Sequence, residues 1–153
     1  MKFILFAFLF LALSFTSRAQ SPRSEKSIHA AFKDFIEAEN RKDTIAVKKI
    51  VWESPDMVFA PFGKRDSSDY LGYWGTENAM SHFSRLYALG IHLEPDYQKE
   101  RIAFLSGDVA EVFTPAKISF PDRAPFSFLV ITYWIKIKGN WQLASDIAIP
   151  LAN

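Results

Sequence analysis

The sequence predicts an α+β fold in which a curved antiparallel sheet packs on about three N-terminal helices. Apolar residues recur at helical spacing early in the chain and at alternating spacing late in it. Turn residues join the alternating stretches into hairpins, at Ser106-Gly107-Asp108 and at Gly139-Asn140. Helices first and hairpin-linked strands afterwards argue for segregated layers.

The first 19 residues read as a cleavable export signal. Lys2 supplies the positive start. Residues 3–15 form an apolar run broken only by Ser14, and Ser17-Arg18-Ala19 puts small residues where a signal peptidase inspects them. The run is shorter than the roughly 20 residues a bilayer span requires. The expected mature chain is therefore a single domain, residues 20–153, exported to the periplasm or beyond the cell and free of the membrane after cleavage.

Ser24 is a plausible helix cap, and Ile28, Ala31, Phe32, Phe35 and Ile36 then form one apolar stripe ending near Asn40. Asp43 or Thr44 caps a shorter helix carrying Ile45, Val47, Ile50 and Val51, which Pro55 closes. Residues 57–62 read as a strand, 64–69 as a polar loop and 70–74 as an aromatic link. Gly75-Thr76-Glu77 starts a third helix with Thr76 as cap. Ala79, Met80, Phe83, Leu86 and Tyr87 line its buried face, and Gly90 ends it. Strands follow at 97–105, 109–114, 126–138 and 141–149.

Both faces of the long strand are apolar. Phe126, Phe128, Val130, Thr132 and Trp134 alternate with Leu129, Ile131, Tyr133, Ile135 and Ile137. Helices cover one face of so small a sheet. The other face calls for a partner, and a homodimer through the outer sheet face is the simplest.

Composition excludes several functions. The formal net charge is +1, and without Lys2 and Arg18 the 18 basic residues become 16 against 17 acids. Such a chain has no electrostatic footprint for nucleic acid. Cysteine is absent, which excludes disulfides, thiolate metal sites and Cys nucleophiles. His29, His82 and His92 lack metal-ligand spacing, no phosphate-binding glycine loop occurs, and no Ser motif supports a hydrolase. No metal site or cofactor is expected.

Several motifs fall in a recognisable order. They are Phe35-Ile36-Glu37-Ala38-Glu39-Asn40 with Asp43, Pro61-Phe62-Gly63, Gly75-Thr76-Glu77-Asn78-Ala79, and Gly139-Asn140-Trp141-Gln142-Leu143. With this order the chain resembles the SnoaL-like branch of the nuclear transport factor 2-like superfamily. The superfamily holds ketosteroid isomerases, polyketide cyclases and dehydratases beside many members with no known reaction. The resemblance implies a cone with a pocket between sheet and helices. It places Ala60, Phe35 and Ile131 where a ketosteroid isomerase carries its base and its two oxyanion donors. Three apolar side chains cannot do that proton chemistry.

The same resemblance turns Leu129, Ile131, Tyr133 and Ile135 inward, together with Gln142, Ala144, Asp146 and Ala148. It makes Asp146 the one inward acid, with Tyr133 as helper. The expected pocket comprises Phe35, Trp52, Ala60, Phe62, Trp74, Phe83, Tyr87, Phe113, Leu129, Ile131, Ala144 and Ala148. Asp146 either serves as a general acid or base with its pKa raised by burial, or stays ionised on hydrogen bonds from Tyr133, Trp52 or a backbone amide. The expected function is binding of a small apolar molecule. The alternatives are a cofactor-independent cyclase, isomerase or dehydratase using Asp146, and a non-catalytic dimeric interaction domain.

Overall fold

The structure is a computed structural model that describes residues 22–61 and 72–151. The expected leader and Phe62 lie outside the described residues. The elements are α1 (Pro22–Asn40), α2 (Thr44–Ile50), β1 (Val58–Ala60), β2 (Tyr73–Trp74), α3 (Thr76–Ala88), β3 (His92–Pro95), a 3₁₀ turn (Tyr97–Lys99), β4 (Arg101–Phe104), β5 (Val109–Phe120), β6 (Arg123–Ile137) and β7 (Asn140–Pro150).

Local chemistry sets the helix ends. The Asp43 carboxylate accepts the Ala46 amide at 2.9 Å and so caps α2. On α3, Gly75 rather than Thr76 occupies the cap position. The Thr76 hydroxyl is engaged elsewhere: it donates to the Trp52 carbonyl at 2.8 Å and accepts the Ser54 amide at 2.9 Å. These bonds tie the start of α3 to the chain between α2 and β1. Past α3, Gly90 turns the chain with φ +73°, and a Cβ there would lie 2.9 Å from Pro121 Cγ. The α3–β3 turn therefore presses directly on the β5–β6 turn, and only glycine fits.

The described strands form one curved sheet in the order β2-β1-β7-β6-β5-β3, with β4 also on β5. Its pairs are antiparallel except β1 and β7, which run parallel. β5 runs on to Phe120, past the expected end at Thr114, because β3 and β4 share its outer edge without meeting. β3 pairs from Ala116 onward and β4 up to Phe113, so Pro115 falls in the gap, where no strand needs the amide hydrogen it lacks. Its carbonyl accepts the Asp96 amide at 2.7 Å.

Ile28, Phe32 and Phe35 of α1, Phe83 of α3 and Trp134 of β6 are fully buried and build the core between the helices and the sheet. The Phe35 ring meets Phe83 at 5.9 Å and Trp134 at 6.2 Å, both edge to face. Rings of this size each remove roughly 150–250 Å² from water, which makes them the main cohesive contribution of so small a fold.

The face of β6 differs from the expectation. Phe128, Val130, Thr132 and Trp134 point inward, and Leu129, Ile131, Tyr133 and Ile135 point outward. The family resemblance sets the strand one residue out of phase, and with a period of two such a slip exchanges the faces completely. β7 hides the slip because it carries a bulge. Trp134 faces Leu143 and Tyr133 faces Ser145, leaving Ala144 as the extra residue. Leu143 and Asp146, three apart, are consequently both buried.

Candidate functional site

β7 lies between β1 and β6, and its register sets Asp146 beside Phe59 on one side and Thr132 on the other. All three are buried, and their side chains share the inner face. From the opposite layer α1 brings Glu39. It continues the series Ile28, Phe32, Phe35 and is only 4% exposed. The last turn of α1 is fixed by Asn40, whose side-chain amide donates to the Leu93 carbonyl at 2.9 Å and accepts the Leu93 amide at 2.7 Å. This double bond to β3 holds Glu39 over the sheet.

Between these layers is a cavity of about 180 Å³. Ile36 and Glu39 of α1, Phe59 and Pro61 at β1, and His82 and Leu86 of α3 form one side. Ile91, Leu93, Ile118, Phe120, Phe128, Val130, Asp146 and Ala148 form the rest. The wall is almost wholly carbon apart from two carboxyls and one imidazole. The His82 ring lies 4.9 Å from Phe59 and 4.3 Å from Tyr73, centre to centre. Its Nδ1 is 3.3 Å from Arg85 Nη2. A guanidinium only donates, so in this contact Nδ1 is the acceptor.

Neither acid has a hydrogen-bond or cationic partner among the described residues. Burial accordingly raises both pKa values. Asp146 is pushed up to about 7 by desolvation. Glu39 rises well above the usual carboxylate range, first through desolvation and then through the charge of Asp146. Tyr87, 6% exposed, has a hydroxyl with no hydrogen-bond partner among the described residues. Its pKa is also raised, by burial and then by Glu39, Asp146 and Asp43. The alternative of an ionised Asp146 held by Tyr133, Trp52 or a backbone amide therefore has no donor among the described residues. The arrangement can hold and exchange a proton near neutral pH inside an apolar space.

The expected pocket residues are scattered. Asp146 and Ala148 stand on the cavity wall. Phe35 and Phe83 are packed in the adjoining core, and Tyr87 lies against Phe83 with ring centres 6.3 Å apart. Trp52 is half-buried where its amide bonds the Leu143 carbonyl, and Trp74 is 56% exposed at the sheet edge. Ala60 points outward because its neighbour Phe59 is the residue turned toward Asp146. Phe113 pairs with Ile131 on the outer face, beside Leu129, and Ala144 is taken up by the bulge.

Tyr133 is also outside, where its hydroxyl hydrogen-bonds the cross-strand Glu111 and is raised in pKa by that bond. It cannot assist Asp146 from the opposite face. Glu39 was the residue missed. Its signal was present in the continuation of the α1 stripe, yet a Glu among Glu37, Asp34 and Lys33 reads as solvated surface. Among the described residues no group of three or more His, Cys, Asp or Glu side chains is placed to hold a metal ion.

The fold has solved counterparts. One is a protein of unknown function from Pseudomonas putida KT2440 described as nuclear transport factor 2-like. It superposes with a TM-score of 0.70 at 12% identity, over 87% of this chain and 90% of its own. This is the nuclear transport factor 2-like fold. A candidate dehydratase of that family from Streptomyces avermitilis shares it with a TM-score of 0.68 at 15% identity, over 86% and 99% of the two chains. A ketosteroid isomerase-like protein from Erwinia carotovora atroseptica shares it with a TM-score of 0.64 at 18% identity, over 84% and 96%. At these identities the likeness extends to the nuclear transport factor 2-like fold alone, without the SnoaL-like branch. No protein-family model and no curated protein matches the sequence.

Proposed function

We propose that the chain is an exported protein that binds a small, largely apolar molecule in the cavity between α1, α3 and the inner sheet face. The observation that supports this most is a carbon-walled space of about 180 Å³ bearing two buried acids with no hydrogen-bond or cationic partner among the described residues. Buried polar groups in a folded protein are normally paired, and groups left unpaired mark a site that something else completes. Drug-sized ligands occupy roughly 300–1,000 Å³, whereas a cavity of about 150 Å³ takes up benzene. The ligand is thus one ring or a short branched chain with one polar group.

A second reading is supported by the position of Asp146 near neutrality: a cofactor-independent isomerase, cyclase or dehydratase of the SnoaL-like kind. One carboxylate then removes a proton and the other, protonated, delivers one. The named dehydratase and isomerase-like relatives in fold make such chemistry feasible on this architecture. Native mass spectrometry of protein purified from its host should detect a bound small molecule. Ala148→Phe, which fills the cavity from its wall, should remove it while the protein stays folded. A bare protein that also fails to perturb cavity resonances when toluene is added would exclude the binding reading.

The leader at residues 1–19 and a single domain at 20–153 complete the reading. The outer face presents Phe113, Leu129, Ile131 and Ile147, with Ile149 43% exposed, and is assigned to a second copy of the chain. Sedimentation should give a dimer that Ile131→Glu converts to monomer; a monomeric wild type would remove that assignment and with it the dimeric interaction alternative.

A further inference from the structure

We propose that the cavity recognises a primary ammonium group carried on a compact apolar body, with Glu39 and Asp146 as its paired acceptors. This rests on the cavity being a binding site and names the chemistry of what it binds. Two carboxyls line the cavity, and a buried phenol lies near them. Glu39 and Asp146 line the cavity at 4% and 7% exposure. The Tyr87 hydroxyl is buried with no hydrogen-bond partner among the described residues and lies within the field of both acids. A primary ammonium has three donors and no acceptor, and the four oxygens of two carboxylates can accept all three.

Other ligand classes fit worse. An anion meets two acids. An alcohol brings one donor and no charge. Calcium takes 6–8 oxygen ligands and magnesium needs six or retains water, which this carbon wall cannot supply. Among the described residues no lysine or arginine lines the cavity. His82 of α3 is the other titratable group on the wall, with Arg85 Nη2 3.3 Å from its Nδ1. Asp43, at the start of α2, adds only negative potential. Phe59, Phe120 and Phe128 supply faces for the ligand body and for the cation itself.

The proton balance follows. With the cavity empty, burial keeps the acid pair partly protonated at neutral pH. An arriving ammonium retains its own three hydrogens and restores the ionised carboxylates, and the displaced acid proton leaves to solvent. Binding is therefore accompanied by proton release, and it strengthens as pH rises from about 6 to 8.

The test is titration calorimetry of the protein with benzylamine and cyclohexylamine against benzyl alcohol and cyclohexanol, in two buffers of different ionisation heat. Either amine should bind at least about tenfold more tightly than its alcohol and release protons. Asp146→Asn and Glu39→Gln should each weaken amine binding by about tenfold or more and alter alcohol binding by less than about threefold. Thermal melting of both variants confirms the fold. Alcohols binding as tightly as the amines, or amine binding without proton release, would overturn the ammonium assignment and leave the cavity reading standing. Failure of all four compounds would overturn both.

Discussion

Glu100 receives the His29 imidazole at 2.6 Å and the Thr114 hydroxyl at 3.3 Å, while Asp146, just as buried, receives no hydrogen bond among the described residues. The first acid sits where the chain enters β4 and fastens the N-terminal half of α1 to the sheet. The second faces Glu39 across the cavity at the other end of α1. The same helix thus meets one satisfied carboxylate and one unsatisfied pair. A satisfied buried acid is explained by the fold it stabilises. An unsatisfied one opposes folding, so its presence calls for a reason outside the apo fold.

The largest expected effect tests the unsatisfied pair. Both carboxyls have folded pKa values above their unfolded ones. Their contribution to stability is therefore fully present below about pH 4 and is lost as pH rises through about 7. For Asp146 alone a rise to about 7 corresponds to on the order of 4 kcal/mol. Urea unfolding should find Glu39→Gln/Asp146→Asn close to wild type at pH 4 and more stable by several kcal/mol at pH 8. Equal stability at pH 8 would erase the contrast.

At the other end the sign reverses. His29→Ala leaves Glu100 buried with only Thr114 as donor, and should destabilise by about 1–2 kcal/mol in the same assay at neutral pH. A neutral result would make Glu100 as unsatisfied as Asp146. The smallest effect is expected from Tyr87→Phe. Removing a buried hydroxyl that has no partner should change stability by less than about 1 kcal/mol, toward greater stability, by the same measurement. A larger loss would expose a partner for Tyr87 and weaken the cavity reading.

Much of the fold was legible because its signals are local. The α1 stripe, the Asp43 cap, the Gly90 stop and the two hairpin turns each rest on a few adjacent residues. What failed depended on partners far away in sequence. Pro115 lies inside a strand because of a gap between two others. β3 is four residues long, too short for its alternation to be read, and it is held because β5 offers an edge and Asn40 grips Leu93. The residues 97–105, read as one strand, split into a 3₁₀ turn and β4.

In the site, Asp146 was legible as an acid among apolar neighbours. The wall around it was not, since the strand phase of β6 rests on pairing and the Ala144 bulge is visible only in register. Glu39 was hidden by its charge. A helix position is identified as interior by its hydrophobicity, and an acid placed inside for chemistry removes that very mark.

The contact between Gly90 and Pro121 has a consequence for the size of what the protein can hold. Ile91 and Phe120, the immediate neighbours of the two touching residues, both belong to the cavity wall. The spacing of that wall is therefore gauged from outside it, like the jaws of a caliper set by its screw. A methyl at position 90 would strain a left-handed backbone and wedge the two turns apart. Natural or engineered change at this exterior point would resize the interior while every group that meets the guest stayed chemically the same.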